Sequence, residues 1–385
     1  MRALNTPRMV QLQSLLGHFV FALLATVVQP LLPAIQQKYD LSIFQSSLIP
    51  TTYTVFMTLT NIAVGIGVSK FGVRKPYFGA LGLGVIASIL IGFAGSYPVL
   101  LGSFALLGVS VGTAFTTLST AYAHLPTKYK NFGLFHGAFG VGGMAAPLIL
   151  AVVLSFGLGY ESIFGVFVVL LILSIGLLVQ NRAFEHRSAE ALSLHGLGKA
   201  VLRPVFFLGI LGMGMYAGAE TGSIVFSGNL QGRFYGLELA QNSFLLSLFW
   251  VGFTLSRFAT DPLLDRLGLR WILVFSAWGA ALVLLLWVLG FGFWIFPLSG
   301  LFMGPVFPAI QKFVNDQLPD EEKGLFNGAA YGSLGLFISG TLPIMGSRAE
   351  VGITSAYVVS IGMFGVLGII GFVLGQRQFS QSKTP

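Results

Sequence analysis

Gly133-Leu-Phe-His-Gly-Ala-Phe-Gly140 and, 191 residues later, Gly324-Leu-Phe-Asn-Gly-Ala-Ala-Tyr-Gly332 are two versions of one phrase. Three further pairs keep the same order. Leu125-Pro126 and Leu318-Pro319 stand just before the two phrases. Gly159-Tyr-Glu-Ser-Ile-Phe164 matches Gly352-Ile-Thr-Ser-Ala-Tyr357, and Gly72-Val-Arg74 matches Gly268-Leu-Arg270. All four recur at a spacing of about 190 to 196 residues. One match means little in a chain with 50 glycines, but four in register mean that the chain is a parallel duplication.

What is duplicated follows from the solvent. Of 385 residues, 55% are hydrophobic and 9% charged, and the mean hydropathy is +0.85. Soluble domains carry about 25% charged residues, so this chain is built for lipid. A spanning helix needs about 20 apolar residues. Twelve such runs fit, near 9–35, 44–69, 77–95, 98–124, 131–155, 161–181, 203–230, 242–265, 271–290, 293–316, 324–346 and 353–375. Runs such as Ile163–Val179 and Trp271–Trp287 are apolar all round and lack the alternation of barrel strands. The fold expected is an all-α membrane protein of twelve transmembrane helices in two parallel-repeated six-helix halves. The halves would be 1–181 and 203–385, with a cytoplasmic linker over 182–202 that holds the longest polar stretch.

The net charge of +8 and pI near 9.7 would suggest a nucleic-acid partner in a soluble protein. Here the cations set topology instead, and no nucleic acid is expected. With the N-terminus in the cytoplasm, seventeen of the 21 lysines and arginines gather on the cytoplasmic face. Lys38, Arg233 and Arg348 fall on the other face, and Arg257 lies within a span. That bias is the positive-inside signal. It puts both termini on the cytoplasmic side of a cell membrane, the inner one in a bacterium. There are no cysteines, hence no disulfide or thiolate metal site. No Walker loop, metal-ligand cluster or nucleophile motif occurs, so neither enzyme activity nor a cofactor or metal is expected.

The loop between spans two and three, Gly65-Ile-Gly-Val-Ser69-Lys70-Phe-Gly72-Val-Arg74-Lys75, resembles the signature G-x-x-x-D-R-x-G-R-R/K of the major facilitator superfamily. So does Asp261-Pro-Leu-Leu-Asp265-Arg266-Leu-Gly268-Leu-Arg270 in the second half. Ser69 replaces the acid in the first copy, and Asp261 takes the glycine place in the second. The resemblance implies the major facilitator fold, a monomer, and a gating latch formed by Lys70, Arg74, Asp261, Asp265 and Arg266. Arg257 belongs with that set, positioned to pair with Asp261 at i, i+4.

Within the superfamily the chain resembles the fucose–galactose–glucose/proton symporter group. Tyr216-Ala-Gly-Ala-Glu220, Phe249-Trp250-Val-Gly252-Phe-Thr-Leu-Ser-Arg257 and Gly304-Pro305-Val-Phe307-Pro308 carry that resemblance. His136, Gly140, Gly143 and Pro147 fit the group's span-five rhythm. The group places acids in spans one and four, whereas this chain has none there and offers Thr113, Thr116, Thr117, Ser119 and Thr120 in span four.

Glu220 is the acid set well inside a predicted span, where ionisable groups are functional candidates by default. The glycines around it, Gly209, Gly212, Gly214, Gly218 and Gly222, suggest a helix that breaks or exposes its backbone to a ligand. Glu220, His136 and His18 are the candidate coupling groups, since a histidine titrates near neutral pH. Candidates to bind a small-molecule substrate are Gln29, Asn61, Thr113, Thr117, Tyr216, Glu220, Trp250, Gln311 and Asn327. The function expected is secondary active transport of a small polar solute, a sugar by resemblance, by alternating access. A proton or sodium ion would drive it. The alternative is proton-driven efflux of amphipathic compounds, and a lipid-handling protein or a sensor on the same scaffold is a third reading.

Overall fold

In lipid, an apolar run satisfies its own backbone hydrogen bonds by coiling into a helix. The computed structural model follows that rule. It describes residues 7–123, 125–126, 129, 132–181, 184, 203–317 and 320–381. The side chains of 65–70, 123, 132–133, 136, 261, 265, 312, 315–316, 320–328 and 374–381 fall outside that description. Among the described residues every regular element is helical.

The first half contains α1 (Pro7–Thr26), α2 (Val28–Tyr39), α3 (Ile43–Phe71), α4 (Arg74–Gly92), α5 (Tyr97–Ala123), α6 (Phe132–Ser155) and α7 (Ser162–Gln180). The second contains α8 (Pro204–Val225), α9 (Ser227–Tyr235), α10 (Leu239–Phe258), α11 (Thr260–Val288), α12 (Leu298–Met303), α13 (Val306–Gln317), α14 (Asp320–Val351) and α15 (Ile353–Gln381). A 3-10 turn, Phe293–Ile295, precedes α12. Eleven segments among the described residues are long and apolar enough to cross a membrane. The twelfth predicted span is α3, 29 residues long, whose apolar run is diluted by Thr51, Thr52, Thr54, Thr58, Thr60 and Asn61.

Three predicted spans are interrupted. Span one breaks at Val27 between α1 and α2, where Pro30 can offer no N–H to the Thr26 carbonyl. Span seven breaks at Phe226 between α8 and α9. Span ten breaks at Gly304-Pro305 between α12 and α13. In α11 the chain kinks at Gly268, with φ 72° and ψ 163°. Gly72, its counterpart in the first half, also has φ 72°. The repeated Gly-x-Arg therefore marks the same backbone turn twice, in a region that side chains with a Cβ avoid.

The chain separates into two compact units. The first comprises Met1–Leu41, Leu48–Ala191 and Leu239–Ser247, and the second Ser42–Ser47, Leu192–Glu238 and Leu248–Pro385. The first unit is built on α1 against α6 and α5, and on α4 against α5 and α7. The second is built on α8 against α14 and α15, and on α11 against α15.

Both units use one packing device. A Cβ on Gly108 of α5 would strike the Tyr53 carbonyl of α3, and one on Gly112 would stand 2.5 Å from the Met57 carbonyl oxygen. In the second unit, Cβ atoms on Gly300 and Gly304 would strike the Phe249 and Phe253 carbonyls of α10. Each pair is a G-x-x-x-G, which lets two helix backbones touch where lipid offers no hydrophobic drive.

Candidate functional site

Span seven carries the charge. Along α8, Gly214, Gly218 and Gly222 recur every fourth residue and face Phe337, Thr341 and Met345 of α14. Span seven does break, as its glycines suggested, but beyond them, at Phe226. The glycines serve close helix packing, and α8 runs unbroken through Val225. Glu220 lies two residues from both Gly218 and Gly222, about 200° around the helix, so it projects away from α14. Tyr216, one turn earlier, shares its face. Tyr216 is buried, and its hydroxyl faces Glu220 and Arg257. Glu220 is half-buried.

Arg257 on α10 is the base that answers it. The Tyr216 hydroxyl and the Arg257 guanidinium both lie within electrostatic reach of Glu220. Arg257 also reaches Tyr331, which in turn meets Gln311. The guanidinium stands over the Phe253 ring, 4.2 Å from its centroid. Its Nε–H donates to the Gly304 carbonyl at 3.4 Å. That acceptor exists for a local reason. Residue 308 is the helical partner of Gly304, and Pro308 has no N–H to give it. The Asp261 side chain, the partner expected for Arg257, lies outside the described residues.

No ion pair joins Glu220 to Arg257. The Tyr216 hydroxyl is the polar group that faces both the Glu220 carboxylate and the Arg257 guanidinium. Ionisable groups at span centres cost about 2.5–3.5 kcal/mol on insertion scales. Here two of opposite sign lie close without an ion pair between them.

In the first unit, His18 is nearly fully buried in an aromatic cluster. It stacks on Phe135 at 4.0 Å between centroids and tilts against Phe115 at 5.1 Å and Phe139 at 5.7 Å. Tyr122 stacks on the far side of Phe135 at 4.7 Å. The Asn61 Oδ1 accepts a hydrogen bond from Thr116 Oγ1 at 2.9 Å. Gln29 follows the Val27 break, with its Oε1 unpartnered. Thr113 and Thr117 are buried, and their hydroxyls donate to carbonyls of their own helix.

The other predicted residues are placed as follows. Trp250 is buried edge-on against Phe249 and Phe253. Arg74 donates to the Asn181 carbonyl at 2.6 Å, closing the C-terminal end of α7, where a cation is favoured. Arg266 is exposed. The side chains of Lys70, His136, Asp265 and Asn327 lie outside the described residues, as does most of the 182–202 linker. Thus Tyr216, Glu220, Arg257 and Gln311 come together in the second unit, joined by Tyr331 and Phe253, which the sequence reading missed. The spacing from Gly304 to Pro308 was the available signal for the Arg257 contact.

A sequence profile of the Major Facilitator Superfamily matches residues 14–233 and 221–385. The chain has no significant match among curated proteins. Among solved structures it superposes on a mutant of the nucleoside transporter NupG with a TM-score of 0.77 at 14% identity, covering 94% of this chain and 99% of that one. A bacterial homolog of the human lysosomal transporter Spinster, inward-facing and unoccupied, gives 0.78 at 15% identity, covering 98% of both chains. FucP in the outward conformation gives 0.65 at 17% identity, covering 94% of this chain and 97% of that one. At such identities the likeness shows the fold alone, so the fucose-group resemblance gains no support beyond it. The chain belongs to the Major Facilitator Superfamily, a multi-pass membrane protein of a family of secondary transporters for small solutes.

Proposed function

We propose that this protein moves a small polar solute by cation-coupled alternating access, with Glu220 carrying the coupling proton. One observation supports this above the rest. Glu220 is a half-buried carboxylate in span seven that no ion pair neutralises among the described residues, and it sits beside a buried hydroxyl and a guanidinium. A structural carboxylate would be ion-paired, whereas one that must bind and release a cation stays open to it. A sugar is the substrate that the motifs around Tyr216, Trp250 and Pro308 favour. The halves 1–181 and 203–385 would act as the moving bodies of a monomer in the cell membrane, with both termini cytoplasmic.

Efflux of amphipathic compounds is favoured by a different observation, the aromatic cluster around His18, which suits an apolar ring. Proteoliposomes decide between the two. Internal pH is followed while sugars or amphipathic cations are added, for wild type and Glu220→Gln. Sugar-driven proton entry that Glu220→Gln abolishes supports uptake. Cation–proton exchange with no response to sugars replaces uptake with efflux.

A further inference from the structure

We propose that Arg257 is the binding group for a carboxylate on the transported solute, which would make the substrate an organic anion carried together with a proton. This rests on the reading of Glu220 as the coupling group and names the substrate class for that site.

The argument is one of charge. Arg257 keeps one donor, Nε–H, on the Gly304 carbonyl and its ring face on Phe253. These two contacts hold the guanidinium plane, the Tyr216 hydroxyl lies beside it, and no carboxylate is paired with it among the described residues. A guanidinium so held offers a planar fork that fits a carboxylate. Glu220 lies within its reach but is not paired to it. When Glu220 is protonated, the site carries one net positive charge, which one carboxylate neutralises. When Glu220 is ionised, its own carboxylate competes for the fork and expels the solute. Proton and anion therefore bind together and leave together, with Arg257 exchanging one carboxylate for the other. A phosphate, with up to two negative charges, overfills a site of single charge. The other described titratable groups on α14 and α15 are Tyr331, Tyr357 and, in the last turn of α14, Arg348 and Glu350, and the Asp261 side chain lies outside the described residues. The Lys312 and Asp316 side chains of α13 lie outside the described residues.

The test uses matched pairs that differ in the carboxylate. Counterflow of galacturonate against galactose, glucuronate against glucose, and lactate against glycerol is measured in proteoliposomes of the full chain, with glucose 6-phosphate as the phosphate arm. The variants are Arg257→Gln, Arg257→Lys and Glu220→Gln, each checked for a monodisperse elution profile. The expected result is that at least one carboxylate outpaces its neutral partner tenfold or more. Arg257→Gln should remove that preference and Arg257→Lys should weaken it. Glu220→Gln should keep counterflow yet lose proton-driven accumulation. Transport of neutral sugars that Arg257→Gln leaves intact overturns the inference, as does a preference for the phosphate or no carboxylate counterflow at all. If Glu220→Gln still accumulates substrate against its gradient, the coupling reading itself fails, whatever Arg257 does.

Discussion

Replacing Gly112 by alanine tests the close backbone contact between α3 and α5. The added Cβ would stand 2.5 Å from the Met57 carbonyl oxygen and 3.2 Å from the Met57 carbonyl carbon and Cα. Non-bonded heavy atoms rest at about 3.5 Å or more, so α3 and α5 would have to part by about 1 Å. The obstacle is backbone on both sides, and no rotamer can relieve it. Overpacking of this kind costs about 1–3 kcal/mol, and a rigid obstacle belongs at the upper end. Gly102 is the control on the same helix, because a Cβ there meets nothing within 4 Å. Both changes gain the same helix propensity, about 0.5–1 kcal/mol, and that gain cancels in the comparison. The two variants should differ by about 3 kcal/mol, or about 6–12 °C in Tm at 2–4 °C per kcal/mol for a unit of this size. Thermal unfolding in detergent, followed by tryptophan fluorescence, reads the difference. Equal melting of Gly112→Ala and Gly102→Ala would refute the close α3–α5 approach.

Other consequences can be measured separately. Gly268→Ala forces a Cβ into φ 72°, ψ 163° and should cost about 1–3 kcal/mol in the same melting assay; an unchanged Tm would contradict the kink. Pro308→Ala supplies an N–H for the Gly304 carbonyl and so competes with Arg257 Nε. Hydrogen exchange over Pro305–Gln317 should slow, and an unchanged rate would argue against a freed carbonyl. Thr116→Val with Asn61→Leu should show a coupling of about 0.6 kcal/mol in a double-mutant cycle, the average for hydrogen bonds between membrane helices. Lys38 and Glu161 are bonded at 2.7 Å with side chains 39% and 27% exposed, so Lys38→Met should cost less than about 1 kcal/mol, and less still in high salt.

The twelve spans were legible because length and hydropathy are properties of consecutive residues. Glu220 stood out for a similar reason, as a charge inside an apolar run needs no neighbour to be noticed. The glycines of span seven were legible as glycines, but not the part each plays. Their spacing of four fits a packing stripe as well as a broken helix, and only Phe337, Thr341 and Met345 opposite them decide between the two. The break itself came at Phe226, where the sequence carries no proline. The Gly304 contact of Arg257 was not legible for a related reason. Asp261 is close in sequence, while Gly304 is 47 residues away and its carbonyl becomes an acceptor through a proline on another helix.

By itself, then, the sequence determined that the chain lives in lipid, that it crosses repeatedly, that it is a tandem duplication, and that it turns at Gly72 and Gly268. Each follows from composition or from a pattern along the chain, because lipid obliges every span to satisfy its own backbone. Tertiary structure alone decided which glycines become contacts, that His18 sits among phenylalanines, and that Tyr216, Glu220 and Arg257 share one site. Those depend on which helix faces turn toward each other, and helix faces from distant spans meet only when the bundle packs.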